Sequence, residues 1–418
     1  MRRNVWIWLW LGTLACSRPT PAPASGSAQA EPAKPGELAR CELVQSAPED
    51  HDPERYVRAG SDYVRKARAQ SEPVFYENAR VCAQRALTRQ PGHRGARRLA
   101  GLISLNEHAF AAARDGALAL IGEDADDAMS WGTLSDARLE LGDVPGAIEA
   151  AQRMLDLKPN LPAYGRAAHL RWLQGDISGA KRLYELAIAS GAGARDHEPR
   201  AWMITEVARI FWHEGDYRGA DAGFELALRE VAGYAPALEG KGRVALALGD
   251  YAAAVRWLEQ ALAARPLAET AWLLGDAHRL AGDERAAAAA YERVVSEGER
   301  HDPRTLALFF ATHDREPARA LKLARAEHAL RHDLYSQDAL AFALYRSGDY
   351  AEAKRRISEA REHGTPDARL LYHAGLIERA AGADAAGRAL IAAALQMNPR
   401  FDPILTGGTD GNALARTR

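Results

Sequence analysis

A glycine followed by a short polar turn recurs at Gly142, Gly175, Gly215, Gly249, Gly282, Gly348 and Gly382, at spacings of 33, 40, 34, 33, 66 and 34 residues. Such a period constrains the fold strongly, because each unit is one small supersecondary element that buries its apolar face only against its neighbours. The interval of 66 residues is two periods, so a unit with a degenerate turn belongs inside it. A second marker locates that unit. Five residues after each glycine stands a small residue, namely Ala147, Ala180, Ala220, Ala254, Ala287, Ala353 and Gly387, and midway across the long interval sits Ala320, in PARALKLARAEHAL. The interval of 40 places one inserted loop, GAGARDHEP, at 191–199. Upstream, Ala113 lies 34 residues before Ala147, and ALTRQPGH closes another unit at Pro91. About ten units therefore run from residue 54 to residue 400.

Alanine and leucine carry most of the apolar content, which suits helices better than strands. Glycine in a left-handed turn ends one helix, proline ends the next, and a small residue between them lets two antiparallel helices approach closely. The unit AMSWGTLSDARLELGDVPGAIEAAQRMLDLKPN, with Trp131 and Leu134 early, the Gly142-Asp143 turn, Ala147 and a closing Pro159, resembles the tetratricopeptide repeat. GDYRGADAGFELAL, with Ala220, Phe224 and Ala227, and GDYAAAVRWLEQALAARP, with Ala254, Ala261 and Pro266, are similar to it in part. The resemblance implies an all-α fold, a right-handed α-solenoid of about ten helical hairpins, whose first helices line a concave groove.

The N-terminus reads differently. Met1-Arg2-Arg3 followed by VWIWLWLGTLA has the charged and apolar regions of an export signal, and the apolar run is too short for a permanent membrane span. Thr13-Leu14-Ala15-Cys16 resembles a bacterial lipobox, with Thr13 where that motif usually has leucine. The resemblance implies a signal peptide at 1–15, a lipidated Cys16 and, through Ser17, an outer-membrane destination; a plain cleavage near Ala15 is the alternative. Residues 16–53 read as a disordered tether rich in Pro, Ala and Ser, and 401–418 as a flexible tail. Cys41 and Cys82 remain. An oxidising envelope permits a bridge between them, while the helical run around Cys82 favours a buried free thiol.

No HExxH, GxSxG or Walker-type glycine loop is present, so no catalytic site, cofactor or metal is expected. Gly191-Ala192-Gly193 reads as a flexible loop, and His213 and His301, each beside a carboxylate, read as surface or capping residues. Formal net charge is −2 and sequence pI about 6.7, with both signs interleaved, which argues against a nucleic-acid partner.

Carrying over the groove positions of the resembled family, unit by unit, selects His169 and Trp172; Trp202, Arg209 and Trp212; Glu239 and Arg243; Trp272, Asp276 and Arg279; Asp338 and Tyr345; and Tyr372 and Arg379. Trp and Arg are enriched at binding hot spots. Packing between hairpins is the competing explanation for the tryptophans. The lysine and asparagine clamp that some family members use for peptide C-termini is not evident. The expected function is an exported scaffold or assembly factor of the outer membrane or periplasm. It would touch the membrane only through its lipid and hold a protein partner in the groove. Glycan or small-ligand binding by the aromatic groove is the alternative.

Overall fold

The computed structural model describes residue 41 and residues 52–70, 74–194 and 196–407. The expected export signal, Cys16 and nearly all of the tether lie outside the described residues. Among the described residues there are twenty helices and no strand, paired as ten consecutive hairpins. They divide into two compact units, within 41–158 and 159–407.

The first unit holds three hairpins: α1 (Pro53–Gln70) with α2 (Val74–Arg89), α3 (Arg94–Asn106) with α4 (Phe110–Glu123), and α5 (Ala128–Glu140) with α6 (Val144–Leu157). Cys41 and Cys82 are joined by a disulfide, with Cα atoms 5.7 Å apart. This corrects the free-thiol reading of Cys82. The helix around Cys82 is as expected, but Cys41 is brought against it, and Arg85 on α2 donates to the Cys41 carbonyl at 2.8 Å.

The second unit holds seven hairpins. They are α7 (Leu161–Leu173) with α8 (Ile177–Ser190), α9 (Glu198–His213) with α10 (Tyr217–Glu230), α11 (Ala235–Leu248) with α12 (Tyr251–Ala264), and α13 (Ala268–Leu280) with α14 (Glu284–His301). After these come α15 (Pro303–Thr312) with α16 (Pro317–His328), α17 (Leu334–Arg346) with α18 (Tyr350–Ala360), and α19 (Ala368–Ala380) with α20 (Asp384–Met397).

The hairpin turn follows from two adjacent residues. Glycine takes a left-handed conformation at the end of the first helix, as at Gly175 and Gly215. The next aspartate caps the second helix: Asp143, Asp176, Asp216, Asp250 and Asp283 each accept from the amide three residues on, at 2.8–2.9 Å. In the α15–α16 hairpin, where the glycine is missing, Asp314 (φ 53°) and Glu316 (φ 44°) take the left-handed geometry instead. The repeat therefore survives its degenerate turn, and Ala320 is fully buried as the periodicity requires. So are Ala147, Ala180, Ala220, Ala254 and Ala353, each at a helix crossing where a larger side chain would hold the pair apart.

In the second unit the two helices of a hairpin are buried unequally. α9 buries ten of its sixteen residues, whereas α10 buries Ala220, Phe224 and Ala227 alone among fourteen. α15 buries nine of ten. The second helices keep an outer face in solvent, and the first helices are enclosed on nearly all sides. Phe401 and Asp402, at the start of the segment expected to be a flexible tail, are buried; residues beyond 407 lie outside the described residues.

Candidate functional site on the inner face of the seven-hairpin unit

The four tryptophans expected to face a groove are on first helices, and all are enclosed: Trp172 is 6% exposed, Trp202 8%, Trp212 9% and Trp272 3%. On α7, His169 stacks on Trp172 with ring centres 6.0 Å apart. His213 closes α9 and sits between two indoles, 5.2 Å from the Trp172 ring and 5.1 Å from the Trp212 ring. This corrects the surface reading of His213, because the last turn of α9 lies against α7 rather than in solvent. Burial lowers His213 despite Asp367 nearby, and it lowers His169 to about 4, so the His169 imidazole is neutral at physiological pH.

Each remaining inner tryptophan face carries a guanidinium. Arg209 lies 5.4 Å from the Trp202 ring centre, Arg243 5.8 Å from Trp212, and Arg369 5.4 Å from Trp272. Such stacking favours cation and ring alike. The guanidiniums are also paired with carboxylates. Arg209 donates to Glu206 at 3.1 Å, and Arg243 reaches Glu239 at 3.2 Å and Glu269 at 2.6 Å. Glu239 further accepts the Thr270 hydroxyl at 2.6 Å, which ties α11 to α13. Burial acts to raise Glu269, but Arg243 and Arg369 outweigh it and hold the carboxyl down to about 2. Glu206 has only Arg209 against its burial, and is pushed up to about 7. One carboxylate of this network is thus fixed in charge, and another titrates near neutrality.

The other expected groove residues have different surroundings. Asp276 is buried, accepts the Tyr291 hydroxyl at 2.8 Å, lies 3.5 Å from His313 at the end of α15, and is raised by burial and by Asp402. Asp338 is buried against His373 at 2.9 Å. Tyr345 is half-buried on Phe342, Tyr372 packs on Phe401, and Arg379 pairs with Asp384 at 3.0 Å. Arg279, on the last turn of α13, is exposed. The structure therefore gathers His169, Trp172, Trp202, Arg209, Trp212, Arg243 and Trp272 on one inner face, brings Asp276 to Trp272 through His313, and sets Asp338 and Arg279 apart.

Glu206, Glu269 and Arg369 belong to the same network, and the repeat pattern does not single them out. A charged residue on an inner helical face reads like any other until its partner on the next hairpin is known. Among the described residues, no group of three or more His, Cys, Asp or Glu is placed to hold a metal ion, and no helix is long and apolar enough to cross a membrane.

Known proteins set this architecture in context. The tetratricopeptide repeat family profile matches residues 239–302 and 339–400. A comparison with curated proteins returns no match. Among solved structures, the chain is similar to PilW, described as a widely conserved type IV pilus biogenesis factor, at 12% identity over 51% of this chain and 97% of that one, with a TM-score of 0.43. It is similar to a tetratricopeptide repeat protein from Parabacteroides merdae at 15% identity, over 62% of this chain and 98% of that one, with a TM-score of 0.44. It is also similar to human IFIT1 at 12% identity, over 86% of this chain and 94% of that one, with a TM-score of 0.49. Together with the glycine-ended first helices and the alanine crossings, the profile identifies the third, fourth, sixth and seventh hairpins of the second unit as tetratricopeptide repeats, within ten consecutive hairpins among the described residues.

Proposed function

We propose that the chain is an exported, lipid-anchored scaffold that holds a segment of a protein partner on the inner face of its seven-hairpin unit. The observation that carries the reading is the alternation of guanidinium, indole and carboxylate on that face. Arg209 on Trp202 and Arg243 on Trp212 keep 28% and 16% of their side chains accessible while their carboxylate partners sit beside them. A peptide backbone with mixed side chains offers the acceptors, donors and apolar surface that such a row can engage. The export signal and Cys16 of the sequence support the anchored location, and the Cys41–Cys82 bridge suits an oxidising compartment.

The glycan alternative is less well supported. Sugar rings stack on open indole faces, and here Arg209, Arg243 and Arg369 already lie over Trp202, Trp212 and Trp272.

The test is co-purification of the full chain from detergent-solubilised native membranes, comparing wild type with Arg209→Glu. This variant keeps the buried tryptophans, and circular dichroism checks its helices. A protein recovered with wild type and lost with Arg209→Glu supports the reading; equal recovery overturns the placement of the partner on this face. A Cys16→Ser chain that still fractionates with membranes would sink the lipid anchor.

A further inference from the structure

Six turn glycines of the second unit share one local role and one backbone conformation: Gly175, Gly215, Gly249, Gly282, Gly348 and Gly382 all have φ between +73° and +91°. Two of them differ in what lies opposite. A Cβ on Gly175 would come within 2.9 Å of the Gly364 carbonyl oxygen, and one on Gly215 within 2.9 Å of the Met397 carbonyl oxygen. At the other four a Cβ would meet nothing within 4 Å. The first two hairpins of the unit therefore press against its last two, and the stack closes on itself within one turn.

Three side chains bridge the seam. Thr365 donates its hydroxyl to the Leu173 carbonyl at 2.6 Å, Asn398 its amide to the Trp212 carbonyl at 2.7 Å, and Arg400 its guanidinium to the Ala247 carbonyl at 2.8 Å. Tyr217 donates to the Asn398 side-chain oxygen at 2.6 Å and holds that amide in place. The acceptors are among the last carbonyls of α7, α9 and α11; those of Leu173 and Ala247 are of the kind that a helix leaves without an intrahelical amide partner, while that of Trp212 also accepts the Gly215 amide at 3.0 Å. The seam therefore reaches the ends of three successive first helices and caps two of them, α7 and α11.

The segment that closes the turn also lies against the indoles: Asp367 is 3.8 Å from His213, which sits between Trp172 and Trp212, and Arg369 is stacked on Trp272. The indole N–H groups of Trp172, Trp212 and Trp272 are shielded from solvent with no hydrogen-bond acceptor. An indole nitrogen can only donate, and a buried donor without an acceptor opposes the state that buries it. The bridging bonds favour the closed turn, and the three indole donors without a protein acceptor oppose it.

We propose that Thr365, Asn398 and Arg400 form a releasable clasp, whose opening uncovers the Trp172, Trp212 and Trp272 face of the second unit. Only the purpose of the clasp, gating access of a partner to that face, rests on the function proposed above; the opening is a property of the chain alone.

The experiment compares two pairs of variants of the full chain. Gly175→Ala and Gly215→Ala wedge the seam, whereas Gly249→Ala and Gly282→Ala carry the same left-handed strain with nothing opposite. Acrylamide quenching of tryptophan fluorescence reads exposure of the indoles, and circular dichroism reads folding. The wedge variants shift opening by on the order of tenfold and raise the quenching slope, while the control pair stays together near wild type. Equal quenching in all four variants overturns the clasp. Should the wedge variants unfold outright, Thr365→Val and Asn398→Ala decide the matter. Thr365→Val removes one bridging bond and Asn398→Ala two, each raising opening at least about fivefold, and wild-type quenching in both would overturn the proposal. No partner is present, so the result stands or falls separately from the partner reading. If the turn proves gated yet the wedge variants capture no more partner than wild type, the clasp stands and its assigned purpose fails.

Discussion

Asn398 donates its side-chain amide to the carbonyl oxygen of Trp212 at 2.7 Å, across 186 residues of chain. Trp212 is among the residues that the repeat pattern assigns to a groove; its ring packs on His213 and Arg243 while its carbonyl takes this bond. The end of the last hairpin reaches back over the end of α9. Trp212 thus has two roles, an indole on the inner face and a carbonyl in the seam, and neither is visible from the other.

The crossing alanines set the helix spacing in each hairpin. Ala220→Leu in α10 inserts methylenes where nothing is exposed and should lower stability by about 1–3 kcal/mol. Ala222→Leu, on the exposed side of the same helix, should change it little. Thermal or denaturant unfolding of the two variants checks the difference, and equal effects would refute the assignment of the crossing.

The Cys41–Cys82 bridge closes a separation of 41 residues. Chain entropy assigns such a loop about 3–4 kcal/mol of stabilisation. Reduction, or Cys82→Ala, should lower the unfolding midpoint of the first unit, and thiol titration of the native chain should show neither cysteine free. Two titratable thiols in the native protein would remove the bridge.

Arg243 is the cation between Glu239 and Glu269, 3.2 Å and 2.6 Å away, with 16% of its side chain accessible. Arg243→Met keeps much of the volume and leaves two enclosed carboxylates without their guanidinium, a loss of about 3–5 kcal/mol. Urea unfolding measures it; a loss near zero would mean that solvent screens this network.

Glu206 supplies a pH dependence of definite sign. Its carboxyl titrates at about 7 in the folded chain and at roughly 4.3 when unfolded. Between these values the folded state binds more protons, so this group's contribution to stability is fully present below pH 4.3 or so. It falls as pH rises through 7. Glu206→Gln mimics the protonated form. It should be more stable than wild type at pH 8, by on the order of 2 kcal/mol, and the difference should vanish near pH 4. His169 acts with the opposite sign: its folded value of about 4 lies below its unfolded one, so its contribution is lost as pH falls from roughly 6.5 towards 4. Unfolding of His169→Gln over that range separates the two.

Much of the fold was legible in the residues because its determinants are local. A glycine and an aspartate specify each hairpin turn, and an alanine five residues past the glycine specifies the crossing. Even the unit without its glycine was recoverable from Ala320, since Asp314 and Glu316 adopt the turn geometry at some strain while the crossing keeps its small residue. The membership of the inner face was legible in part: Trp202 and Arg209 do stack, and so do Trp212 and Arg243. Asp276 and Asp338 followed the same positional rule and were taken up by Tyr291 and His373, partners that no spacing reveals.

The sequence by itself determined the repeating hairpin, its ten-fold iteration and the residue types presented by each first helix, because those depend on contacts within one unit or with the next. Only the tertiary structure decided that the second unit closes its turn, that Gly175 and Gly215 differ from their counterparts, and that Thr365, Asn398 and Arg400 reach carbonyls at the ends of distant helices. The physical reason is cumulative. A small rotation at each hairpin interface, too slight to leave a mark in any one repeat, adds over seven hairpins to bring residues nearly two hundred positions apart into hydrogen-bonding distance.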